Sequence, residues 1–162
     1  MSLLRLPASE DSLPQFRQFA LDGATCAGLD LAAQQRVELV LEEALINVIR
    51  HAYSGMGPDV AHQIELACGP DADGVFRLVL TDWGAAFDPV GATQAAQPSD
   101  DAPADQDDDL LSRLESNLEA DLEHRALGGM GLFLIRTMSQ PAYARQGQAN
   151  VLTLRFPPTT ED

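Results

Sequence analysis

The chain has 162 residues, 45% of them hydrophobic, enough apolar mass for one domain with a real core, which excludes collagen-like, mucin-like and wholly disordered chains. Twenty-five acids against ten bases give a formal charge of −15 and a pI near 4.3, a surface that repels a phosphate backbone and argues against nucleic acid as a partner. All ten bases are arginine, so the chain lacks the lysine that a P-loop, a pyridoxal Schiff base or a eukaryotic-type kinase strand requires.

Residues 2–7 read as a short first strand, and residues 10–29 as a helix with Leu13, Phe16, Phe19, Ala20, Ala24 and Ala27 at near-helical spacing and Pro14 in its first turn. Asp30 is a plausible N-cap for a longer helix running to about Tyr53, where Ser54-Gly55-Met56-Gly57-Pro58 stops it. Residues 60–68 and 75–81 form an expected antiparallel hairpin about the turn-rich run from Gly69 to Gly74. From Gly84 to about Leu127 the pattern dissolves into Ala, Gln, Pro and Asp, a composition unable to bury enough apolar surface to offset chain entropy. Residues 99–123 hold ten acids and one base, Arg113, and so account for −9 of the charge. Leu110, Leu111, Leu114 and Leu118 are spaced for a short amphipathic helix within that acidic loop. Gly128-Gly-Met-Gly131 then opens a helix over 132–139, and residues 141–145 and 150–156 make a second hairpin.

Strands gathered into hairpins with helices between them point to an α+β sandwich: one mostly antiparallel, mixed sheet with helices on a single face. Cys26 and Cys68 lie far apart without CxxC spacing, and read as buried thiols in a reducing compartment. His51, His62 and His124 lack metal-site spacing. The amino terminus lacks a signal peptide's apolar stretch and no run nears the roughly 18 apolar residues of a membrane span, so a cytoplasmic protein without a membrane partner is expected.

Three segments carry chemistry. At about 100° per residue, Glu43, Asn47, Arg50 and His51 share one flank of the second helix, and Glu38 and Glu42 take the other. A carboxylate one turn from a carboxamide can supply a base and a neutral oxygen ligand for Mg²⁺; taken alone, the pair reads as readily as a solvated Glu and a surface Asn. Asp82-Trp-Gly84 sits at a strand end, where a carboxylate can accept from an exocyclic amine such as that of adenine and the glycine lets the chain turn. Alone it is a strand-to-loop turn. The glycines before Leu132 join a loop to a helix amino terminus, an arrangement that offers free N–H groups to phosphate or simply hinges a loop.

Together, in this order and spacing, the segments resemble the GHKL (Bergerat-fold) ATPases, most closely the anti-sigma-factor serine/threonine kinases of bacterial partner switching. The run from Glu43 to Tyr53, with Asn47 inside it, looks like their N box, Asp82-Trp-Gly84 their G1 box, and Gly129-Met130-Gly131-Leu132 with Phe133 to Ile135 their G2 box. The resemblance spans essentially the whole chain and implies one ATP-binding domain over residues 1–162, with residues 88–127 as its acidic lid. It implies ATP as cofactor, Asn47 ligating Mg²⁺, Asp82 recognising adenine, and the backbone from Gly129 through Met130 and Gly131 to Leu132 following the phosphates. Glu43 becomes the candidate catalytic base, His51 a residue that shapes the N box, Arg50 and Arg125 candidate phosphate neighbours, and Thr153 a candidate for reaching adenine through water. The implied acceptor is a serine or threonine of a STAS-domain anti-anti-sigma protein. A sigma factor or a PP2C-type phosphatase is a further candidate partner, and a homodimer is common in such families. The alternative is a catalytically weak ATP-binding module that only sequesters those partners. This chain departs from the pattern at Ala86, where many relatives have a second glycine, and in the acidic insert over residues 99–109.

Overall fold

The computed structural model describes residues 1–90 and 129–159. In chain order the elements are β1 (Ser2–Pro7), a 3₁₀ turn (Glu10–Ser12), α1 (Leu13–Cys26), α2 (Leu31–Asn47), a π-helical turn (Val48–Ala52), β2 (Gln63–Pro70), β3 (Phe76–Asp82), α3 (Gly129–Met138), β4 (Gln140–Gln146) and β5 (Ala149–Phe156). The strands form a five-stranded sheet in the order β1-β2-β3-β5-β4, and all four pairings are antiparallel. The expected α+β sandwich is the observed architecture, in its purely antiparallel form among the described residues. The lid assigned to residues 88–127, the leucine-spaced helix within it and Arg125 lie, apart from residues 88–90, outside the described residues.

Local chemistry sets the element ends. The first helix begins at Leu13 rather than at Glu10 because Pro14 has no N–H and fits only a first turn; a helix starting at Glu10 would need that N–H. Glu10–Ser12 instead make a separate 3₁₀ turn, with the Ser9 hydroxyl accepting from Asp11 N. Gly28, at φ +78°, ends the helical run before Leu29. The α2 start is as expected, with Asp30 Oδ1 accepting from Ala33 N at 2.7 Å. The α2 end differs: the last turn before Tyr53 widens into a π turn. The second strand begins at Gln63, three residues later than expected, because its partner β1 ends there, with Pro7 opposite Gln63.

The inward residues of the sheet, including Ile64, Leu66, Leu78, Leu80 and Leu154, meet Phe16, Ala20 and Ala24 of α1 and Val37, Val40, Leu41 and Ala44 of α2 in one core. Gly23 lets α1 approach β2 closely, since a Cβ there would sit 2.5 Å from Cys68 Sγ. Arg17 on α1 reaches both Glu38 (3.5 Å) and Glu42 (4.0 Å). Those glutamates are thereby turned toward α1, leaving the other flank of α2 to α3 and the ends of β3 and β5.

Candidate functional site

At that flank a cleft partly open to solvent is lined by Asn47, His51, Ala52, Asp82, Phe87, Ile135, Tyr143 and Asn150, with further apolar contacts from Ala44, Val48, Leu80, Pro89 and Leu152. Its mix of apolar walls with a few polar groups suits a small-molecule site. The α2 helix and its π turn, β3, α3, β4 and β5 all contribute to it. The helix periodicity puts Asn47 and His51 one turn apart on the same side, strand alternation turns Asp82, Asn150 and Leu152 inward, and α3 contributes Ile135.

Asp82, 6% exposed, holds its position through Oδ1, which accepts from Gly84 N (2.9 Å) and from Asn150 Nδ2 (2.9 Å). Its Oδ2 has no hydrogen-bond partner among the described residues. Gly84 is required by a close approach: a Cβ would lie 2.5 Å from the carbonyl carbon of Ala52 and 2.7 Å from its Cβ. The contact is made because Ala85 N donates to Ala52 O at 2.8 Å, the π turn having left that carbonyl outside the helical ladder. Tyr53 fastens the same joint. Its buried hydroxyl donates to Gln63 O and accepts from Gln63 N (3.2 Å) and Trp83 N (3.0 Å). Burial pushes the Tyr53 phenol above its ordinary range and the Asp82 charge adds to that, against the opposing Trp83 and Gln63 N–H groups. It therefore stays protonated and keeps donating at neutral pH.

The sequence-predicted residues divide by position. Asn47, His51 and Asp82 line the cleft, and Gly84 packs against Ala52 of its lining. Among the described residues the Asn47 carboxamide makes no hydrogen bond, and His51 Nε2 is buried with no hydrogen-bond partner. Glu43 lies beside the cleft, against the first turn of α3: a Cβ on Gly131 would sit 2.7 Å from Glu43 Oε2. Gly129, Met130, Gly131 and Leu132 are the first four residues of α3, which begins three residues earlier than the sequence pattern suggested. Their N–H groups are those a helix leaves without intrahelical partners. Arg50 is placed elsewhere; its Nη2 lies 3.8 Å from Glu10 Oε1, outside the cleft lining. Thr153 pairs with Val79 and Ala142 between the inward-facing Leu152 and Leu154, on the sheet face away from the cleft.

Sequence reasoning did not find Asn150, Tyr143, Arg145 or Phe87. Their signal lies in register: Asn150 stands directly opposite Asp82 across β3 and β5, and Arg145 opposite Asn150 across β4 and β5. Among the described residues no group of three His, Cys, Asp or Glu side chains could hold a metal. No helix among the described residues is long and apolar enough to cross a membrane.

Twelve chains of solved structures match this one. One belongs to the crystal structure of the SiaB–SiaC complex from Pseudomonas aeruginosa, with a TM-score of 0.59 and 18% identity over 96% of this chain and 88% of that one. At that identity the likeness is one of fold. No curated protein sequence matches. The family model for the histidine kinase-like ATPase domain matches residues 6–156, nearly the whole length, and it implies ATP binding. With the boxes its motifs resemble gathered around one cleft, the chain belongs to the histidine kinase-like ATPase domain family.

Proposed function

We propose that the protein binds Mg·ATP in this cleft and transfers the γ-phosphoryl group to a serine or threonine of a STAS-domain anti-anti-sigma partner in a bacterial partner-switching system. The observation that supports this reading is that Asn47, Asp82 and Ile135 of α3 line one cleft, with Glu43, one turn before Asn47 on α2, packed against the first turn of α3. A fold neighbour crystallised as a complex of two proteins is in keeping with a protein acceptor. In this reading the free Oδ2 of Asp82 accepts from the adenine amino group. The N–H groups at the start of α3 receive phosphate oxygens, helped by the positive end of the helix dipole. Asn47 ligates the Mg²⁺, which when bound offsets charge on the phosphate oxygens. Glu43 takes the proton of the acceptor hydroxyl as that oxygen bonds to the γ-phosphorus, the bond to the β–γ bridging oxygen breaks, and ADP leaves.

A second reading keeps the cleft and drops the chemistry: an interaction module that sequesters a sigma factor, a STAS protein or a PP2C-type phosphatase. The acidic stretch over residues 99–123, at −9, favours it, since such charge repels a triphosphate unless it is turned away or paired. Labelled ATP, Mg²⁺ and a STAS-domain protein from the same genome separate the two. Label on the partner that disappears with Glu43→Ala, while calorimetry still detects ATP binding, supports the kinase. ATP binding without transfer to any partner supports the module, and label that persists undiminished in Glu43→Ala removes Glu43 as the base. Asn47→Ala is expected to weaken Mg·ATP binding about tenfold or more, the order found for the loss of one charge-assisted contact.

A further inference from the structure

Asn150 has no part in the reading above, yet it is the most heavily bonded side chain at the cleft. It is 5% exposed and stands opposite Asp82 in the β3–β5 register. Its Nδ2 donates to Asp82 Oδ1 and to Ala85 O, both at 2.9 Å. Its Oδ1 accepts from Tyr143 OH at 2.6 Å and Arg145 Nη1 at 2.9 Å, with Phe87 N a longer third donor at 3.5 Å. The partners fix which way the amide points, because a guanidinium and a backbone N–H can only donate while a carboxylate and a carbonyl only accept. A carboxamide offers two N–H donors and one carbonyl oxygen. All are used, so Asn150 has nothing left with which to touch a ligand.

All these bonds go to the groups that shape one end of the cleft. They tie the strand-tip carboxylate to the loop that follows it and to β4, and Arg145 Nη1 closes the ring by donating to Gly84 O at 2.9 Å. Asp82 Oδ1 is thus committed twice, to Asn150 Nδ2 and to Gly84 N, which fixes the carboxylate plane and leaves Oδ2 as an acceptor of set direction. We infer that Asn150 is a positioning residue for base recognition: by holding Asp82 through Oδ1 it makes the cleft select a purine carrying an amino rather than an oxo group at position 6. This rests on the ATP-binding reading and deepens it. Only a side chain with two donors and an acceptor in one plane can serve all these partners; aspartate, of the same shape, replaces the donor facing Asp82 with an acceptor.

The experiment compares ATP with inosine triphosphate, which has an oxo group where adenine has its amine, by calorimetry with Mg²⁺ on the full chain. The wild type is expected to prefer ATP by on the order of a hundredfold, as a site built to hydrogen-bond a group rejects the analogue that lacks it. Asn150→Asp is expected to lose about tenfold or more in ATP affinity with inosine triphosphate changed less than about threefold, so that the preference collapses. Tyr143→Phe, which removes one hydroxyl and leaves the backbone pairing intact, is expected to lower the preference about threefold and carries the comparison if Asn150→Asp does not fold. Equal proportional losses for both nucleotides, with the preference retained, would mean that Asn150 is mere structural support and would overturn the inference. A wild type that binds ATP but does not discriminate also overturns it, whereas one that binds neither nucleotide refutes the ATP reading itself and the inference with it.

Discussion

Replacing Gly84 with alanine probes the joint on which the cleft depends. The new methyl would lie 2.5 Å from the Ala52 carbonyl carbon and 2.7 Å from Ala52 Cβ, where carbon atoms in contact need about 3.5–4.0 Å. The strand tip must therefore retreat by roughly 1 Å, since both colliding groups are held in place, Ala52 by the π turn and Gly84 by Asp82 and Arg145. Overpacking of this kind costs about 1–3 kcal/mol, and stretching the Ala85 N to Ala52 O hydrogen bond adds about 0.5–1.5 kcal/mol. For a chain of this length the sum, about 2–4 kcal/mol, corresponds to a fall in Tm of about 5–15 °C. Gly84 has no positive φ, so the loss is steric. Gly57→Ala serves as the control, because a Cβ there meets nothing within 4 Å and its effect should stay within about 1 kcal/mol. Thermal unfolding by circular dichroism reads both variants. A Gly84→Ala protein melting within about 2 °C of the wild type would refute the close-approach argument.

Tyr53→Phe deletes the hydroxyl that serves Gln63 and Trp83 and strands buried backbone groups, which is expected to cost about 2–4 kcal/mol and to lower the urea midpoint with little change in slope. The Asp71 carboxyl is pushed up by desolvation, but the Arg155 guanidinium and the Val75 and Asp73 N–H groups outweigh that and hold it below its ordinary range. A carboxylate lowered on folding stabilises above its unfolded pKa and loses that contribution as pH falls through its folded one. Asp71→Asn should therefore melt below the wild type at neutral pH, with the gap closing on the acid side of the normal aspartate range; a gap unchanged down to pH 2 would argue against the role. Cys26 is exposed and Cys68 buried, with burial pushing the Cys68 thiol up. A disulfide reagent should label one thiol in the native protein and the second only on unfolding, and rapid labelling of both would contradict the packing of Gly23 on Cys68.

The parts of the fold legible in the sequence were those with a local cause. The Asp30 cap and the Glu38/Glu42 versus Glu43/Asn47 split of α2 follow from helix geometry, and the ion pairs from Arg17 bear the split out. The strand ends were displaced by a few residues because pairing sets them, as Pro7 does for Gln63. At the site, Asn47, His51 and Asp82 could be read from motif and spacing. Asn150 could not: it opens a strand like any polar residue, and only the pairing of two strands 68 positions apart in sequence brings it to Asp82. Arg50 shows a different limit of helical projection. Projection grouped it with Asn47 and His51, yet within the same π turn His51 lines the cleft while the Arg50 guanidinium lies beside Glu10.

The placement of the last strand between β3 and β4 also has a bearing on biosynthesis. During vectorial synthesis the amino-terminal half emerges with its helices and its β1-β2-β3 ribbon, but β3 keeps a bare edge until residues 149–156 leave the ribosome. A nucleotide in the cleft therefore acts only once β5 has paired, as a stabiliser of the assembled sheet and not as a template for its early stages.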